Sequence, residues 1–323
     1  MCTAATFQSK DFYFGRNLDY ERSYGEEVVI VPRGYPMKFR YLPARENYAI
    51  IGMAHVENDY PLFYDAMNEH GLCLAGLNFV GNAYYPDCQK GKENVAQYEF
   101  ICYVLRNFAS VDEFLSSSKE LVITNTPFDS RFPPSQLHYL LADKNDCIVI
   151  EQGKDGMHIY HNPVGVLTNN PPFDKMLFNL RNYRHLSNED KGNSFLKNVP
   201  LEAYSRGMGA IGLPGDLSSM SRFVKVAFVR NNSVCEKDEV SSVSQFFHIL
   251  ESVEQQKGCC KLGEDSYEIT LYSSCMNADQ KIYYYRTYDN RHIHAIHMDR
   301  ADLDSKNLYR YPLIEKEVFE NQN

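Results

Sequence analysis

The chain has 323 residues, 44% of them apolar, and a formal net charge of −9 with a pI near 5.6. That length supplies a large buried core, while the acidic balance without any basic run argues against nucleic acid, whose binding rests on clustered Lys and Arg. No stretch reaches the ~18 consecutive apolar residues of a membrane helix, and MCTAATFQSKDF has neither the charged nor the apolar region of a secretory signal, so a cytoplasmic protein without membrane attachment is expected.

In chain order, the first informative residue is Cys2, directly behind Met1. A cysteine there excludes N-myristoylation and is small enough for an aminopeptidase to expose. One residue would then carry both a thiol nucleophile and a base. An α-amine titrates near pH ~7.7–8.0 and a free thiol near ~8.5, so modest tuning activates the thiol at neutral pH. The run from Thr3 to Phe7, a Ser9-Lys10-Asp11 turn and a second run from Phe12 predict a hairpin. Glu27–Val31 and Tyr48–Met53 are β-rich. Asn68-Glu69-His70-Gly71 and Asp143–Asp146 each form a turn between apolar runs. Helices are predicted over 98–108, after a Ser110 cap, and over 173–183, 222–229 and 243–253. YEITLYSS, KIYYYRTY and HIHAIHM return to strand. Hairpin-linked strands with interspersed helices indicate one α+β domain over 1–323, a layered sandwich of antiparallel sheets.

Two motifs carry no weight on inspection. Gly207-Met208-Gly209-Ala210-Ile211-Gly212 matches G-x-G-x-x-G, but Pro214 and Gly215 follow, breaking the helix a dinucleotide site requires. His292 and His294 share a strand face while His297 points to the other, so no metal site is expected. Nine cysteines without a C-x-x-C pair fit neither a zinc ribbon nor a redox motif. Cys73, Cys102 and Cys147 sit in apolar runs and read as core.

What remains is the neighbourhood of Cys2. In a hairpin, residue 2 lies close to Arg16 and Asp19 of FGRNLDY, where the carboxylate can hold the amine and the guanidinium the thiol side. An ordinary surface ion pair explains the same spacing and is, on spacing alone, the simpler reading. Asn78 in GLNF and Asn169 in LTNNP end apolar runs, where an amide can donate to a developing oxyanion. Arg222 opens a helical pattern after the glycine loop.

These pieces, in this order, resemble the choloylglycine hydrolase family, the bile salt hydrolases and penicillin V acylases of the N-terminal nucleophile class. The resemblance spans nearly the whole chain, through FGRNLDY, IVPRGY, YPLFYDAMNEHGLCLAGLNF, LTNNPPFD, GLPGD with SRFVKVAF, FFHIL and YSSCMNADQKIYYYRTYDN. It implies a four-layer αββα sandwich and a homotetramer. It also implies Cys2 as nucleophile after loss of Met1, Arg16 and Asp19 beside it, Asn78 and Asn169 in the orienting and oxyanion positions, and Arg222 as second arginine. No metal or cofactor is implied. Asn78 within AGLNF points to conjugated bile salts as substrate. Leu18, Tyr64, Phe128 and Phe132 are the implied apolar walls, although each alone reads equally as core packing. Arg206, beside Ser205, is the implied contact to the glycine carboxylate or taurine sulfonate. Two alternatives remain open: a penicillin V acylase or other N-acyl amidase on the same scaffold, and a non-catalytic protein binding amphipathic steroids.

Overall fold

Only three residues separate the first two strands, and they close as an antiparallel hairpin in which Cys2 faces Leu18 and Ala4 faces Arg16. The computed structural model describes residues 1–43 and 46–323. In chain order the elements are β1 (Cys2–Gln8), β2 (Phe12–Tyr20), β3 (Glu27–Val31), β4 (Ile50–Glu57), β5 (Tyr60–Asn68), β6 (Cys73–Asn78), β7 (Glu93–Ala96), α1 (Phe100–Asn107), α2 (Val111–Ser117), β8 (Leu121–Thr124), β9 (Leu137–Ala142), β10 (Cys147–Gly153) and β11 (Gly156–His161). They continue with β12 (Val166–Leu167), α3 (Phe173–Asn179), α4 (Ser219–Asn232), α5 (Glu239–Glu251), β13 (Ile269–Asn277), β14 (Ile282–Thr287), β15 (Asn290–His297) and β16 (Tyr309–Pro312).

The hairpin sits inside a six-stranded sheet ordered β12-β1-β2-β13-β14-β15, stacked on an eight-stranded sheet ordered β11-β10-β9-β6-β5-β4-β3-β16. Strand pairing in both is antiparallel. α4 and α5 cover the outer face of the first sheet, and α1 covers β5 and β6 of the second. This is the αββα sandwich, with one core between the sheets and under α4 and α5, and a second under α1 and α2.

Covering both faces of a sheet removes the period-two alternation that marks a half-exposed strand. β1 is buried from Cys2 to Phe7 and only Gln8 is exposed. Such layering requires close approach, and Gly15 supplies it. A Cβ there would lie 2.0 Å from the Ser274 carbonyl oxygen and 2.9 Å from a Phe246 ring carbon, so any side chain would push β13 and α5 off the hairpin.

The helix expected over 173–183 is shorter, because α3 ends at Asn179 and a 3₁₀ turn takes 180–183. α4 begins at Ser219, three residues before the expected start, which places Arg222 in its first turn. Ser110 caps α2, accepting the Glu113 backbone N–H at 3.1 Å. The G-x-G-x-x-G segment holds only a 3₁₀ turn at Met208–Ala210 after Gly207 at φ 83°. His292 is exposed on the edge strand β15, its Nε2 3.0 Å from the Val318 carbonyl.

Candidate active site

Strand pairing decides which way each side chain of the hairpin points. Residues opposite one another share a face and successive residues alternate, so Cys2 and Leu18 lie on one face with Ala4 and Arg16, and Thr3 lies on the other with Asn17. The first face looks into the space between the sheets, because the Arg16 guanidinium reaches the second sheet. Its Nη1 donates to the carbonyls of Gly76 at 2.6 Å and Tyr64 at 3.1 Å. The second face looks at the helices, where Arg222 of α4 donates to Thr3 Oγ1 at 2.5 Å.

Cys2 is 3% exposed and its backbone is clamped at both ends. Its N–H donates to Asn169 Oδ1 at 2.8 Å, and its carbonyl accepts from Arg222 Nη1 at 2.6 Å. Ahead of it, Met1 extends the strand by one residue. The Met1 ammonium donates to the Asp19 carbonyl at 2.8 Å, and the Asp19 N–H donates to the Met1 carbonyl at 3.0 Å. That ammonium also pairs with the buried carboxylate of Glu268.

Asn169 follows β12 and joins three segments. Oδ1 accepts from both Cys2 and Arg222 Nη2, the latter at 2.7 Å, and two donors on one oxygen fix the orientation of the amide. Nδ2 donates to the Asn78 carbonyl at 2.8 Å, leaving its second hydrogen for another acceptor. The Asn169 backbone N–H donates to Ser219 Oγ at 2.8 Å, tying it to the first turn of α4. Asn78 thus enters through its backbone carbonyl at the end of β6, a contact its side-chain chemistry does not announce.

The charges are all buried. Asp19 Oδ1 accepts from Thr270 Oγ1 at 2.6 Å, and Oδ2 lies 3.9 Å from Arg222 Nη1. Burial pushes the Asp19 carboxyl above its ordinary value, against the pull of Arg222 and the N-terminal ammonium. Burial lowers the Arg222 guanidinium, opposed by Asp19 and Cys2. Burial also works against Arg16, yet the acidic groups around it, Cys2 first and then Tyr272 and Asp65, carry its pKa above the ordinary value. Arg16 Nη2 is buried without a hydrogen-bond partner among the described residues. Cys2 is thus set among two guanidiniums and a carboxylate, an arrangement that can position an amine beside its sulfur.

Of the implied wall residues, Leu18 is buried directly opposite Cys2, and Tyr64 is half-buried on β5. Phe128 and Phe132 belong to an aromatic group with Tyr60 and Tyr98, at centroid distances of 5.2–6.2 Å. Arg206 is exposed in the long segment before α4. Thr3, Ser219, Thr270 and Glu268 complete the surroundings and are not legible in the sequence, because nothing local to them signals a partner 50 or more residues away.

The chain is similar over its whole length to known proteins. The family model described as linear amide C–N hydrolases, choloylglycine hydrolase family, matches residues 2–311. A bile salt hydrolase/transferase of Lactiplantibacillus plantarum is 54% identical, over 97% of each chain. One from Bifidobacterium longum is 41% identical, over 95% of this chain and 98% of the relative. The C2A mutant of the conjugated bile acid hydrolase from Clostridium perfringens superimposes over 100% of both chains, with a TM-score of 0.91 at 35% identity.

Proposed function

Because the chain belongs to the choloylglycine hydrolase family of linear amide C–N hydrolases, we propose that Cys2, freed of Met1, is the nucleophile with which it cleaves conjugated bile salts. The observation that carries this reading is the clamp on Cys2: Asn169 holds its nitrogen and Arg222 its carbonyl, with Arg16 on the thiol face and Asp19 on the other. The protein is a hydrolase acting on an amide bond, and a bile salt hydrolase by its relatives.

In the first half-reaction the Cys2 thiol proton passes to its own α-amine and sulfur attacks the amide carbonyl carbon. The carbonyl π electrons move to oxygen, where the free hydrogen of Asn169 Nδ2 and a backbone N–H donate to them. The α-ammonium returns the proton to the departing nitrogen and the C–N bond breaks, releasing glycine or taurine and leaving a thioester. Water then attacks that carbonyl, giving a proton to the α-amine. The C–S bond breaks, the sulfur recovers the proton, and the bile acid leaves. Arg16 faces the sulfur and stabilises it whenever it is anionic. Asn169→Ala removes the oxyanion donor and one end of the clamp, and it is expected to lower kcat on glycocholate by about 10²–10³-fold. Steady-state kinetics with a melting curve checks this, and a kcat within tenfold of wild type would remove Asn169 from the oxyanion role.

Leu18, Tyr64, Phe128 and Phe132 are assigned to the steroid walls, Asn78 to orienting the amide, and Arg206 to the anionic end of the conjugate. Side-by-side hydrolysis of glycocholate, taurocholate and penicillin V tests this reading, with Cys2→Ala as the control. Turnover of either bile salt well above penicillin V is expected, and the reverse order would assign the chain to the acylases. The chain is assigned one hydrolase domain over 1–323 and a cytoplasmic location. No helix among the described residues is long and apolar enough to cross a membrane. A homotetramer is assigned as well, supported by the apolar side chains that the segment before α4 leaves exposed, among them Phe195, Leu196, Leu201 and Tyr204. A monomer by light scattering would withdraw the tetramer.

A further inference from the structure

Behind Arg16, away from Cys2, the two sheets are riveted by a carboxylate. Asp65 of β5 is fully buried, and three hydroxyls of the other sheet converge on it. Tyr272 donates to Oδ2 at 2.6 Å, Tyr283 to Oδ1 at 2.7 Å and Ser274 to Oδ1 at 3.2 Å. Three donors spending protons on one group identify it as the acceptor. A neutral carboxyl would need one of those hydroxyls to turn round and accept in its place. The arrangement is also wired to Arg16. Ser274 Oγ, which donates to Asp65, accepts the Arg16 backbone N–H at 3.2 Å, and the carbonyl of Tyr64, next to Asp65 in β5, accepts Arg16 Nη1.

We propose that Asp65, held by Tyr272 and Tyr283, is a positioning residue that fixes the Arg16 guanidinium and sets the pH window in which Cys2 reacts. The proposal rests on Cys2 being the nucleophile. The charged and titratable groups around Cys2 are Arg16 and Asp19 from β2, Tyr64 and Asp65 from β5, Tyr272 from β13, Tyr283 from β14 and Arg222 from α4. Glu268 and Cys260 precede β13. Arg16 and Arg222 oppose Asp19 and Asp65 around the thiol. Remove the Asp65 charge and the site loses one negative charge in a medium of low dielectric, which favours the thiolate. A thiolate stabilised in this way attacks more slowly, because nucleophilicity falls with basicity. Burial raises the Tyr272 and Tyr283 hydroxyls well above their ordinary value, with Asp65 adding to the rise, so both keep the protons they donate. Burial lifts the Asp65 carboxyl too, opposed by Arg16 and the three hydroxyls.

Asp65→Asn keeps the shape and removes the charge. The acid limb of kcat/KM for glycocholate is expected to move to lower pH by about one unit, with the plateau reduced roughly threefold. The double variant Tyr272→Phe, Tyr283→Phe retains the carboxylate but strips two of its three donors. Burial then drives it to take up a proton, so the limb moves the same way. Ser274→Ala keeps the charge and two donors, and its limb should stay in place even if its melting temperature falls. An acid limb unmoved in whichever of the first two variants folds overturns the proposal, as does failure of both to fold, which would assign the cluster to packing. These outcomes are separable from failure of the nucleophile reading, since that failure appears as activity surviving in Cys2→Ala.

Discussion

Cys2→Ala is expected to abolish release of glycine from glycocholate, on the order of 10³–10⁶-fold below wild type, while the protein still folds. The size follows from covalent catalysis: without the sulfur there is no thioester, and only binding and the oxyanion donors remain. Folding should survive because the substitution removes one atom from a residue whose position is fixed through its backbone, by Asn169 and Arg222. Cys2→Ser is the sharper variant. It retains a nucleophilic atom and the N-terminal amine, but its hydroxyl is far less acidic than a thiol, so Arg16 cannot bring it to an anion near neutrality. Amine release is the assay, with thermal melting as the folding control. Either variant turning over at the wild-type rate would move the chemistry away from Cys2, and among the described residues no other cysteine is bracketed by Arg16, Asp19 and Arg222.

Protein that retains Met1 should be comparably inactive, although every side chain of the site is in place. With Met1 attached, the Cys2 nitrogen is an amide and has lost the basicity the proton transfers require, whereas a free α-amine titrates near pH ~7.7–8.0. Met1 also occupies the strand position opposite Asp19, engaging both of its backbone groups and the Glu268 carboxylate. A protein made with a protease site ending directly before Cys2 separates the two forms. Uncut protein should fold and show no turnover, and cleavage exposing Cys2, followed by intact mass, should restore it in step with the cut fraction. Full turnover before cleavage would exclude the α-amine as base. The same experiment disposes of the steroid-binding alternative, because a binding protein would be indifferent to the cut.

The hairpin was legible because its contacts are local. Ser9, Lys10 and Asp11 turn the chain, and counting back along two strands places Arg16 and Asp19 beside residue 2. Helix starts were less so: Ser110 announced itself as a cap, whereas the first turn of α4, which carries both Ser219 and Arg222, did not. Asn169 could be picked as an amide at a strand end, but its engagement of the Asn78 backbone could not, since a carbonyl looks the same at every position.

By itself, then, the sequence determined the proposed nucleophile, its hairpin partners Arg16 and Asp19, the α+β class, and, through the order of its motifs, the family. Tertiary structure alone decided the two faces of the hairpin, with the thiol and Arg16 between the sheets and Asp19 with Arg222 under the helices. It also brought in Asp65, Tyr272 and Tyr283, which lie on three strands of two sheets. The reason is physical. Strand pairing and sheet stacking bring together residues 207 and 218 positions apart without any local periodicity to record it, and strands buried on both faces lose the alternation that would show which side faces which layer.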